Sequence, residues 1–234
     1  MLKKHAPAEG ILMPGSQQDI AVSRRRFLGY TGAAAAAALA LTACDKNDND
    51  MPSGSIDLGS GDFGILNYAY ALEQLEAAFY IKVLESPYGG GSATEMSLLR
   101  DIRDHEIAHR EFFKNALSSN AIQALTPDFS AINFSSRDSV LAAARAFEDL
   151  GVQAYNGAGK LITNPAYLGI AGKIVSVEAR HAAWIRDIIA NGSFADSTVV
   201  DSNGLDMSKT PAQVLMAANT FLVTKISGTN LPTS

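Results

Sequence analysis

Along the chain, apolar residues recur at helical spacing in four long stretches, and in two of them the same pair of polar side chains interrupts the stripe. Over 94–117 the stripe runs Ile102, Glu106, His109, Phe113, and over 165–190 it runs Ile174, Glu178, His181, Ile185. Steps of three or four residues put each set on one helix face. Both Glu-x-x-His pairs therefore point where the core is expected, and an uncompensated carboxylate there is costly. The other two stretches predict a helix over 63–84 and another over 137–161. The first carries Ala69, Glu73, Glu76, Tyr80 and Val83 on one face, with Leu72, Leu75 and Phe79 beside them; the second carries Leu141, Ala144, Glu148, Val152 and Tyr155 on its inner face.

The breaks between these stretches set the connectivity. Residues 86–92 are a short Gly-rich turn, 118–136 a long irregular stretch containing Thr126-Pro127, and Asn164-Pro165 a tight turn that opens the fourth helix. A polar loop over 191–209 is followed by Thr210-Pro211, which starts a short amphipathic helix with Val214, Ala217, Ala218 and Phe221. An up-and-down bundle would need three short connections. Short, long, short predicts an all-α four-helix bundle over 62–190 with one long crossover between the second and third helices. Residues 191–234 are expected to form a C-terminal loop and short helix packing on it.

The N-terminal pattern is different. Residues 1–22 are polar; Ser23-Arg-Arg-Arg-Phe-Leu28 and an Ala-rich apolar run to Ala43 follow, too short to span a membrane comfortably. A basic flank before a short apolar run is an export signal, here resembling the twin-arginine type, and 1–43 are assigned to it. Leu41-Thr-Ala-Cys44 resembles the lipobox of bacterial lipoproteins, which makes Cys44 the candidate lipidation site. Residues 44–61, rich in Asp, Gly and Ser, read as a flexible tether. The chain is therefore expected to be an exported lipoprotein of the periplasm or cell envelope, anchored to a membrane at its N-terminus.

Composition narrows the chemistry. The net charge is −5, and the only dense basic cluster, Arg24 to Arg26, falls in the leader, so no nucleic-acid footprint is present. Cys44 is the only cysteine, which excludes an intrachain disulfide, a thiolate zinc site and a rubredoxin-type iron centre. Apart from His5 in the leader there are three histidines, and two of them lie in the Glu-x-x-His pairs. His105 sits off the stripe and is expected at the surface or behind the site. Trp184 and the methionines are read as packing.

The two halves repeat. Glu178 and His181 follow Glu106 and His109 by 72 positions each, while Glu148 and Tyr155 follow Glu73 and Tyr80 by 75. Each tyrosine comes seven residues after its glutamate, about two turns on, so it lies on the same face and can donate a hydrogen bond into the site. In the first helix Glu76 competes with Glu73. The separation of Glu76 from Glu106 is 30 residues, as is that of Glu148 from Glu178, whereas the tyrosine spacing selects Glu73.

Leu66-Asn-Tyr-Ala-Tyr-Ala-Leu-Glu73-Gln-Leu-Glu76-Ala-Ala-Phe-Tyr80, Phe147-Glu148 through Tyr155, and Val177-Glu178-Ala-Arg-His181 resemble the bacterial ferritin-like domain proteins related to plant desiccation-related proteins. More distantly they resemble bacterioferritins, rubrerythrins and manganese catalases. The resemblance implies a ferritin-like bundle with two iron or manganese ions held by Glu73 (or Glu76), Glu106, His109, Glu148, Glu178 and His181. Glu106 and Glu178 would bridge, and Tyr80 and Tyr155 would stand behind the ligands. Four carboxylates balance two divalent cations, and carboxylate and imidazole suit iron or manganese. The implied activity is that of an oxidoreductase, ferroxidase, peroxidase or catalase-like, in oxidative or desiccation stress. The implied partners are the metal ions, peroxide or oxygen, and a second copy of the chain in a homodimer. The alternative is a non-catalytic metal-binding or structural stress-protection protein on the same fold, and a tethered lipid anchor argues against a mineral-storing cage.

Overall fold

The computed structural model describes residues 54–234. The expected leader 1–43, Cys44 and the first part of the tether lie outside the described residues. Four long helices fall where the stripes place them: α1 (Gly61–Glu85), α2 (Ala93–Leu117), α3 (Arg137–Ala158) and α4 (Pro165–Ile189). Their starts are encoded locally. The Ser92 and Ser136 side chains accept the N–H groups of Glu95 and Ser139 at the first turns of α2 and α3, and Asn164 accepts that of Ala166 ahead of α4. Thr210 and Gln213 form a reciprocal capping box that opens α5 (Pro211–Ala218).

Helix α1 packs along α2, α3 packs along α4, and α1 faces α3. Every residue of α1 from Gly64 to Ala77 is buried, so this middle stretch of α1 is covered on all sides. The sequence allows this because residues flanking its polar stripe, including Ile65, Tyr68, Ala71 and Leu75, are themselves apolar. Their cover is the C-terminal segment: Val214, Leu215, Leu222, Ile226 and Leu231 join Leu58, Ile65, Tyr68, Leu72 and Leu75 in one cluster. The loop leading into that cover passes over α3 at Gly157, where an added Cβ would lie 1.7 Å from the Lys209 carbonyl oxygen.

Buried polar side chains of α1 hold the crossover over 118–136. Asn67 accepts the Ile122 N–H (2.9 Å) and donates to the carbonyls of Asn120 (2.9 Å) and Leu58 (3.1 Å), while Gln74 accepts the Leu125 N–H (2.8 Å). These bonds satisfy backbone groups that an irregular segment cannot pair with itself. Farther along, Phe129 and Phe134 pack on Phe79.

The fold starts earlier than the expected boundary at Asp62. Ile56–Asp57 (β1) pairs in parallel with Ile226–Ser227 (β2), and Leu58 is fully buried. The polar composition of 44–61 hides this because the pairing partner is 170 positions away. Met216 also departs from expectation: at 75% exposed, it is a surface residue and not part of the core. No helix among the described residues is long and apolar enough to cross a membrane.

Candidate metal centre

Each of the four helices sends one stripe inward at the same level. Helix α1 contributes Glu73, α2 Glu106 and His109, α3 Glu148, and α4 Glu178 and His181. The four glutamates are fully buried and His181 nearly so. His109 Nδ1 lies 2.8 Å from Glu178 Oε1, 3.4 Å from Glu73 Oε2 and 3.8 Å from Glu106 Oε2. His181 Nδ1 mirrors it, 2.9 Å from Glu106 Oε1, 3.4 Å from Glu148 Oε2 and 3.7 Å from Glu178 Oε2. Each imidazole thus lies closest to the carboxylate of the opposite half of the repeat.

Two groups of potential ligand atoms result. One is Glu73, Glu106, His109 and Glu178; the other is Glu106, Glu148, Glu178 and His181; within each, the donor atoms lie within 4.8 Å of one another. Glu106 and Glu178 belong to both. Glu73 Oε2, both oxygens of Glu106 and Glu178, Glu148 Oε2 and the two imidazole Nδ1 atoms are buried without a hydrogen-bond partner. Buried polar atoms are rarely left so, and eight converging at one level mark a place that a cation fits. Carboxylate oxygen and imidazole nitrogen form a donor set suited to iron or manganese.

The tyrosines brace the carboxylates across the bundle. Seven-residue spacing places Tyr80 on the face of Glu73 and Tyr155 on that of Glu148, but their hydroxyls donate to the opposite partners. Tyr80 of α1 donates to Glu148 of α3, and Tyr155 of α3 donates to Glu73 of α1. Of the two candidate glutamates on α1, Glu73 is the one that meets His109 and Tyr155. Glu76 is buried one turn further on, beside Gly151 of α3.

His105, exposed on α2, pairs with His181: Nδ1 lies 2.9 Å from His181 Nε2, and the rings are parallel with centroids 5.1 Å apart. When His181 is neutral and its Nε2–H donates to His105, the inward Nδ1 carries the lone pair. Periodicity cannot reveal this contact, because His105 lies off the apolar stripe and reaches across to α4.

The electrostatics follow from crowding charges in a dry core. Burial pushes the Glu73 carboxyl up, Glu106 well up, and Glu148 up to about 7, against the pull of their imidazole and tyrosine partners. Burial acts the same way on Glu178, but contacts with both imidazoles overcome it and hold this carboxyl at about 2. Burial alone would lower His109; the nearby carboxylates of Glu106, Glu178 and Glu73 outweigh it and push the imidazole up to about 12, and His181 is raised for the same reason by Glu106 and Glu148.

An apolar cavity of about 30 Å³ is lined by Tyr155 together with Ile65, Tyr68, Ala69, Phe113 and Tyr167.

No curated protein matches this chain. The ferritin-like domain family model matches residues 61–191, a span that takes in α1 to α4 and all six converging side chains. The four-helix order, the single long crossover and this match together place the chain in the ferritin-like domain family.

Proposed function

We propose that this protein binds a dinuclear iron or manganese centre and uses it for oxidation–reduction with peroxide or oxygen. The observation that carries the reading is the pair of four-residue groups sharing Glu106 and Glu178. Glu73 and His109 would complete one metal position, Glu148 and His181 the other. Bound there, a pair of redox-active ions would supply one-electron steps and open coordination positions for an oxygen-containing substrate.

The chain's own residues have separate tasks. Tyr155 and Tyr80 hold one oxygen of Glu73 and of Glu148, leaving the second oxygen of each directed inward. His105 fixes the orientation of the His181 ring. The helices around them exclude bulk water, so the carboxylates act at short range in a low dielectric.

The N-terminal pattern supports an exported, lipid-anchored protein, with Cys44 as the attachment point and stress protection in the cell envelope as the setting. Activity is tested by peroxide-decay and ferrous-oxidation assays on the metal-loaded full chain, beside the Glu106→Ala/Glu178→Ala variant. Turnover by the parent chain that the variant lacks is the expected result. A loaded parent chain that consumes neither peroxide nor oxygen leaves a metal-binding protein without this chemistry.

A further inference from the structure

Glu76 is a buried carboxylate that the six-residue set leaves over. It is 3% exposed and shares none of the partners that brace the others. His109 faces Glu73, Glu106 and Glu178; His181 faces Glu106, Glu148 and Glu178; the tyrosines take Glu148 and Glu73. A carboxylate kept this way costs stability unless something compensates it.

The internal repeat explains how it fits. Gly151 follows Glu76 by 75 positions, the offset that relates Glu148 to Glu73 and Tyr155 to Tyr80. Helix α3 therefore carries glycine where α1 carries glutamate. A Cβ at Gly151 would lie 3.0 Å from Glu76 Oε1 and 3.7 Å from Glu178 Oε2. Glycine inside a helix costs about 0.5–1 kcal/mol relative to alanine, and here the missing methyl leaves room for the Glu76 oxygen beside a carboxylate common to both groups.

We propose that Glu76 is a seventh protein ligand of the metal pair, additional to Glu73 and not a substitute for it, reaching the pair on the α3 side through the space left by Gly151. The inference rests on the dinuclear reading given above. Six ligands related by the repeat would make two equivalent positions, whereas Glu76 has no counterpart in α3 and α4, so the two ions are held differently. Five carboxylates exceed the charge of two divalent ions by one and fall one short of two trivalent ions. Glu76 thus shifts the site's preference toward the more highly charged pair.

The test is a titration of the metal-free full chain with Mn(II), and anaerobically with Fe(II), for the parent chain and for the Glu76→Gln, Glu76→Asp and Gly151→Ala variants. The Asp and Ala variants keep the negative charge but withdraw or displace the carboxylate, which separates ligation from a field effect. The parent chain is expected to take two ions with distinguishable affinities, and Glu76→Gln to weaken at least one of them tenfold or more. At least one charge-keeping variant should weaken it in the same way, and Glu76→Asp serves where Gly151→Ala does not fold. A Gln variant that binds both ions as the parent does overturns the inference, as does a loss confined to the Gln variant with both charge-keeping variants unchanged. A parent chain that takes up no metal overturns the dinuclear reading itself, a result separate from either.

Discussion

Among single residues, the tyrosines carry the most specific expectation. Because Tyr155 donates to Glu73 and Tyr80 to Glu148, each hydroxyl fixes a candidate ligand of the opposite helix. Removing a group that orients a ligand typically lowers metal affinity about 10- to 100-fold. Tyr155→Phe and Tyr80→Phe should each fall in that range in a Mn(II) titration; a core aromatic without this task would change stability and leave affinity alone. Protonation is the second expectation at this scale. In the metal-free protein Glu148 is raised from 4.5 to about 7 and His109 from 6.5 to about 12, so from about pH 5 to about pH 8 the folded state holds more protons than the unfolded chain. Stability of the metal-free form therefore falls as pH rises through that window, while metal binding releases protons and tightens with pH. The depressed Glu178 acts oppositely, but only in acid, between 4.5 and about 2. Melting temperatures of the metal-free chain across the window test this, and a rise with pH would contradict it. The Glu-x-x-His pairs were legible because a charged pair in an apolar stripe is a periodicity signal. The crossed tyrosine bonds were not, since register assigns a face but not the neighbour beyond it. His105 lay off every stripe, and Gly151 has no side chain to form a pattern.

Helices and their connections are held by a few polar ties. Arg137, at the first turn of α3, grips Glu95 at the start of α2 through bonds of 2.9 and 2.7 Å, and Tyr88 donates to the same carboxylate. The Arg137 guanidinium holds Glu95 below its usual range despite partial burial. Its contribution is thus fully present above the ordinary glutamate pKa and is lost as pH falls through the lowered value. Arg137→Ala should cost about 1–3 kcal/mol at neutral pH, and the deficit should shrink in acid denaturation profiles. Gly157 provides a steric counterpart. Lys209 donates its N–H to the Gln153 carbonyl (3.0 Å) and passes over α3 where a Cβ would meet its carbonyl oxygen at 1.7 Å. Gly157→Ala should destabilise by about 1–3 kcal/mol or more by overpacking, read in urea unfolding. The starts of α4 and α5 were legible from Asn164-Pro165 and Thr210-Pro211, while the caps at Ser92 and Ser136 were not singled out because neither serine is followed by a proline. The burial of the middle of α1 on all sides was not legible, because its cover comes from the C-terminal segment and the crossover, whose irregular paths no period describes.

For the molecule as a whole, the sequence repeat becomes a spatial one: two helix pairs, joined by a pinned crossover, place two like ligand sets against each other. The match of residues 61–191 to the ferritin-like domain covers this unit. The C-terminal segment and the short β1–β2 pairing lie outside that match and close the bundle over α1. Length and order of connections made the bundle legible, while β1 was hidden in a polar stretch that becomes a strand only once Ile226 is beside it. The central claim is that this bundle is built around two metal ions, and the count of bound metal tests it most directly. Full chain produced with iron or manganese supplied, and its Glu106→Ala/Glu178→Ala variant, would be measured for metal per chain by elemental analysis. About two ions per parent chain, lost in the variant, is the predicted result. A folded parent chain without metal, whose stability is unchanged or raised by the double substitution, would contradict it.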